Sequence, residues 1–143
     1  MPTVVRVPLS RRSFLTAGAV ALAAGCHLDD TAPAVDPDLA ARATALQTEQ
    51  QLLAAYQAVI VALPKLEPRL RGPLADHAAH VARLTSGTAP TPPAGTARTV
   101  ADLLALERAA AASHGAAAVT ATRAFAPTLA SLAAASSCAA AVL

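Results

Sequence analysis

Leucine and isoleucine recur at helical spacing in separate segments of this chain, the segments are divided by proline, and little between those residues is larger than alanine. In the clearest segment Leu39, Leu46, Leu53 and Ile60 repeat every seven residues, two turns of an α-helix. Of 143 residues, 41 are alanine, against two Phe, one Tyr and no Trp. Alanine has the strongest helix propensity and strand formers are sparse, so composition and periodicity both ask for helices. A helix with one apolar stripe has to bury it against another element, and a chain this short forms one domain. A multidomain enzyme is excluded. So is a disordered tail, because 55% of the residues are hydrophobic and 14% charged.

The proline positions divide the chain into four helices. Asp36-Pro37-Asp38 predicts the first start, with Asp36 as N-cap, and Pro64 the stop after Leu63. A second stripe, Leu70, Leu74, His77, Val81 and Leu84, follows Pro68, with Gly72-Pro73 as an alternative start. Thr85 to Gly95, with three prolines and two glycines, is the longest loop. A third helix runs from about Arg98 through Leu103, Leu104, Glu107, Ala111, His114 and Ala118 to Ala121. Pro127 opens a fourth through Leu129, Leu132, Ala133, Ser136 and Ala140 to Leu143. The expected fold is all-α, an up-and-down antiparallel four-helix bundle over residues 38–143.

Residues 1–25 read as an address. Ser10-Arg11-Arg12-Ser13-Phe14-Leu15, followed by a mildly apolar stretch of small residues, resembles a twin-arginine export signal, so Arg11 and Arg12 are expected to carry the export motif. Phe14 to Gly25 would reach about 18 Å as a helix, too short for ~30 Å of hydrocarbon, and no apolar run in the chain reaches the roughly 18 residues of a spanning helix. Ala23-Ala24-Gly25-Cys26 looks like a lipobox, whose cysteine is acylated and becomes the new N-terminus. That reading places the mature protein on the outer face of the cytoplasmic membrane, anchored by a lipid on Cys26, with residues 26–37 as a tether. Two alternatives stay open: cleavage without lipid at Ala21-Leu22-Ala23, and a Cys26–Cys138 disulfide, which lipidation would forbid. Removing the address takes away Arg6, Arg11 and Arg12 and leaves eight basic against nine acidic residues, which excludes nucleic acid as a partner.

Four ionisable residues sit where the seams should be apolar. Glu49 falls on the first seam, His77 at the centre of the second, and Glu107 and His114 on the third. His80 borders the His77 face. Burying a lone charge costs several kcal/mol or shifts its pKa, so these groups have to be paired, protonated or metal-bound. Measured from the loop at residues 85–97, His77 and His80 lie about 7 to 13 Å in and Glu107 about 13 Å in, with His114 ~10 Å further along, nearer Tyr56. Glu49, His77, His80 and Glu107 thus make a candidate set for iron or another first-row transition metal, with oxygen and nitrogen donors and no thiolate.

The layout resembles the ferritin-like fold. The stretches Leu52-Leu53-Ala54-Ala55-Tyr56, Leu74-Ala75-Asp76-His77-Ala78-Ala79-His80-Val81 and Glu107-Arg108-Ala109-Ala110-Ala111-Ala112 are similar to a family of small, exported, alanine-rich ferritin-like proteins of unknown function. In the di-iron members of the wider fold, two helices give one glutamate each and two give a Glu-x-x-His pair. Carried over, Glu49 and Glu107 are the single glutamates and His77-Ala78-Ala79-His80 replaces one pair. Ser137-Cys138-Ala139-Ala140 offers neither carboxylate nor imidazole at the other. The resemblance therefore implies a reduced, incomplete site rather than oxygen-activating or iron-mineralising chemistry.

Beside the metal stands a plainer reading, in which Glu49 pairs with Arg108 or a histidine, His77 and His80 are hydrogen-bonded without metal, and Tyr56 bonds His114. The bundle is then a non-enzymatic envelope protein that binds a partner or associates with itself. No Gly-x-Ser-x-Gly motif is present, and Ser113-His114 are sequence neighbours rather than a nucleophile and its base, so hydrolysis is not expected.

Overall fold

In a computed structural model of the chain, which describes residues 36–85 and 94–143, every regular element is helical. Helix α1 spans Leu39–Ala62, a single 3₁₀ turn Pro64–Leu66 follows, and then come α2 (Glu67–Leu84), α3 (Val100–Thr120) and α4 (Ala126–Val142). The signal segment, Arg11, Arg12, Cys26 and nearly all of the tether lie outside the described residues, and no helix among those described is long and apolar enough to cross a membrane.

The helix ends follow local chemistry. α3 begins with a capping box: Thr99 Oγ1 accepts from the Asp102 amide at 3.1 Å and Asp102 Oδ2 accepts from the Thr99 amide at 2.9 Å. α4 starts at Ala126 with Pro127 in its first turn. α1 starts later than the sequence predicts. Asp38, not Asp36, is its N-cap; Asp36 Oδ1 accepts from the Asp38 amide at 2.9 Å, and the Asp38 carboxylate reaches across to the Thr122 amide at 2.9 Å and to the Thr122 hydroxyl. α2 runs through Pro73 instead of starting there. Proline removes one backbone bond, but Leu70 before it and His77, Val81 and Leu84 after it form one continuous buried stripe, and their burial outweighs the lost bond.

Two apolar clusters hold the ends. Ala55, Tyr56, Val59, Leu70, Ala97 and Leu103 bring together the end of α1, the start of α2 and the start of α3. Ala45, Leu84, Phe125, Leu129 and Leu132 bring together the start of α1, the end of α2 and the start of α4. The Asp38–Thr122 bonds set the end of α3 beside the start of α1, and Arg69 near the start of α2 donates to the carbonyls of Val142 and Leu143. The chain thus leaves α2 at one end and enters α3 at the other, so α2 and α3 run in the same direction, which corrects both their placement at the 85–97 loop and the expected up-and-down order. Gly95 and Ala97 lie against α1, where a Cβ on Gly95 would collide with the Ala54 carbonyl, so only glycine fits that approach. α1 packs against both α2 and α3, α3 packs most extensively against α4, and α2 and α4 touch more lightly.

The α1 seam is turned from its expected centre. Leu39 is exposed and Leu46, Leu53 and Ile60 are only half-buried, while Ala45, Glu49, Leu52, Tyr56 and Val59 form the buried line. At ~100° per residue the two lines differ by about one position. Leu52, Tyr56 and Val59 fill the centre of that line, and Leu46, Leu53 and Ile60 flank it.

Candidate functional site

Midway between the two apolar clusters the buried stripes of α1, α2 and α3 carry ionisable groups: Glu49 and Glu107 at 0% exposure, His77 and His114 at 1%. Their spacing explains the convergence. Glu49 lies four residues after Ala45 and three before Leu52, and Glu107 four after Leu103 and three before Ala110, so each sits on the innermost line of its helix. α4 brings Ser136, also fully buried, on the line that includes Leu129, Leu132 and Ala139.

The four groups predicted from sequence meet. His77 Nδ1 lies 2.8 Å from Glu49 Oε2, His77 Nε2 lies 2.8 Å from Glu107 Oε1, and His80 Nδ1 lies 3.0 Å from Glu49 Oε2. Two further contacts complete the network. His114 Nε2 is 3.0 Å from Glu49 Oε1, and the Tyr56 hydroxyl donates to Glu107 Oε1 at 2.7 Å. The expected Tyr56–His114 bond is replaced by this exchange of partners, and the cause is the run of α3. Glu49 and Tyr56 are seven residues apart on α1, as are Glu107 and His114 on α3. With α3 starting where α1 ends, Tyr56 comes level with Glu107 and Glu49 with His114. Arg108 is exposed and the Glu49 partners are histidines.

Burial alone would push the Glu49 carboxyl up, but the hydrogen bonds from His114, His77 and His80 outweigh it and hold the group well below the usual carboxylate range. For His77 burial pushes the imidazole down, yet the bonds to Glu107 and Glu49 prevail and raise it to about 9. At neutral pH His77 is therefore an imidazolium donating to a carboxylate on each side. Burial and the Glu107 contact both push Tyr56 up, which keeps its proton in place as a donor.

Three of these residues present donor atoms to one point. One ligand atom each from Glu49, His77 and His80 lie within 4.8 Å of one another, a spacing that a single cation could bridge. Glu107, the fourth predicted ligand, stands behind His77 in the described geometry and binds its second ring nitrogen. Among the described residues two fully buried side-chain polar atoms have no hydrogen-bond partner, Glu107 Oε2 and Ser136 Oγ. Ser136 is on the α4 stripe expected from sequence, but a serine there carries no signal of its own that marks it as part of the centre. Cys138 is exposed on α4, away from the centre.

No protein-family model, no curated protein and no solved structure matches this chain.

Proposed function

We propose that this protein is an exported ferritin-like bundle that binds one first-row divalent transition-metal ion through Glu49, His77 and His80. The observation that carries the reading is the triad of donor atoms within 4.8 Å of one another, with Glu49 and His77 buried and His80 half-buried at the edge. Two imidazoles and one carboxylate suit Fe(II), Mn(II), Co(II) or Zn(II) better than calcium or magnesium, which prefer all-oxygen shells. The surroundings fit too: Glu107 accepts from the far nitrogen of His77 and is itself held by Tyr56, while His114 holds the second oxygen of Glu49. Carboxylate-to-histidine-to-metal chains of this kind orient ligands and raise their basicity.

The ferritin-like part of the proposal draws on the packing pattern. α1 lies against α2 and α3, and α3 against α4, while the connection between α2 and α3 passes from one end of the bundle to the other. One long crossover of this kind marks ferritin-like bundles among four-helix folds. Export through Arg11 and Arg12, and a lipid anchor on Cys26, complete the proposal on the strength of the sequence alone.

Elemental analysis of the mature chain purified without chelator tests the binding. About one equivalent of Fe, Mn, Co or Zn is expected, and a Glu49→Ala/His80→Ala double variant should lose it. A metal-free parent that remains folded would overturn the reading. It would favour a metal-free polar layer, for which the supporting observation is that His77 is already clamped between two carboxylates.

A further inference from the structure

Of the three residues that converge on the proposed cation, His80 is by far the most open to solvent. Its side chain is 13% exposed, against 2% for His77 and 0% for Glu49. The groups behind them are as closed: Glu107 is fully buried, His114 is 2% exposed at its side chain, and Leu52 and Ala110 seal the adjoining α1 and α3 positions at 1% and 2%. A hydrated cation cannot cross a packed apolar layer without losing its water shell to nothing, whereas a partly exposed imidazole can exchange for one water at a time. His80 Nδ1 faces inward, 3.0 Å from Glu49 Oε2, so the same ring spans the boundary between solvent and centre. One helical turn earlier on α2 stands Asp76, exposed, at the i, i+4 position where side chains lie about 5 to 6 Å apart.

Resting on the metal-binding reading above, we propose that the divalent transition-metal ion enters and leaves the centre past the exposed edge of His80, with Asp76 as the carboxylate that collects it from solvent. The site is then an exchangeable one: Asp76 concentrates the cation electrostatically, His80 is the first ligand to bind and the last to let go, and Glu49 and His77 complete the shell inside. Asp76 does not belong to the final shell, so it changes the speed of exchange more than the affinity. His80 belongs to both.

Two measurements on the mature chain, using cobalt(II) alone as the probe, test this route. Stopped-flow absorbance of the cobalt d–d bands should show Asp76→Asn slowing association and release together, about three- to tenfold at low ionic strength, with the difference shrinking as salt screens the carboxylate. The Kd should shift less than twofold. Diethyl pyrocarbonate, mapped by peptide mass, should modify His80 well before His77 or His114, and cobalt should protect His80. Cobalt that binds the parent while Asp76→Asn keeps the parent's rates, or while His80 is no more reactive than His77, would overturn the route and leave the metal site standing. A parent that binds no cobalt would overturn both.

Discussion

The interior of the bundle has two kinds of layer, and they are held by different physics. At each end lies an apolar cluster, built around Leu70 and Leu103 at one end and around Leu84, Phe125, Leu129 and Leu132 at the other. Between them lies a layer in which two carboxylates, three imidazoles and a phenol replace hydrocarbon. The ends gain free energy from every apolar atom they remove from water and do not depend on pH or on exact geometry. The middle gains little net from its hydrogen bonds, yet loses heavily if one partner is removed, because the group left behind keeps its desolvation cost. A bundle rich in alanine has a small apolar reserve. That it keeps a polar layer at its centre is the physical reason to look for a ligand there.

Removing a charged member of the middle layer should therefore cost at least as much as truncating a large core residue. Glu49→Ala deletes the acceptor of three imidazole contacts and strands the His77 charge, with an expected loss of about 3 to 5 kcal/mol. Leu103→Ala at an apolar end should cost about 2 to 4 kcal/mol. Urea unfolding of both variants in chelator decides the comparison, and a loss under 1 kcal/mol for Glu49→Ala would show that the layer is not tightly coupled.

Changes of pH should act on the middle and spare the ends. Because the folded-state pKa of His77 is raised to about 9, its contribution is fully present below the unfolded value near 6.5 and fades as the pH climbs through 9. Glu49 works in the opposite sense: its lowered pKa stabilises the fold above the ordinary carboxylate range and the contribution fades as the pH falls. The melting temperature of the metal-free chain should thus be highest near neutrality and drop between pH 7 and 10. A His77→Gln variant should lose most of the alkaline part of that drop.

The smallest effect should come from Tyr56→Phe, which removes one O–H donor to Glu107 while leaving the ring in the apolar cluster it shares with Val59 and Leu70. About 1 to 2 kcal/mol is expected, with little change in metal content. This residue stands at the border of the two layers. A loss near that of Glu49→Ala would move it fully into the polar one.

The sequence by itself determined the four helices, most of their ends and the burial of the ionisable groups on the seams, though not that of Asp38. Those are local properties. Periodicity in Leu70, His77, Val81 and Leu84 sets the face of one helix, and the proline at 64 or 127 sets its boundary, without reference to the rest of the chain. Glu49, His77, His80 and Glu107 were legible as a group because each interrupts or borders an apolar line. Only the tertiary structure decided which residue touches which. The direction of α3 depends on how the chain returns between Leu84 and Val100, and no spacing within a helix records that return; reversing it exchanged the partners of Tyr56 and Glu49. The turn of α1 was hidden for a related reason. Hydrophobic patterning marks Leu39, Leu46, Leu53 and Ile60, but the innermost line of α1 mixes Ala45 and Glu49 with Leu52, Tyr56 and Val59, and a line that includes a small residue and a carboxylate does not stand out as a seam.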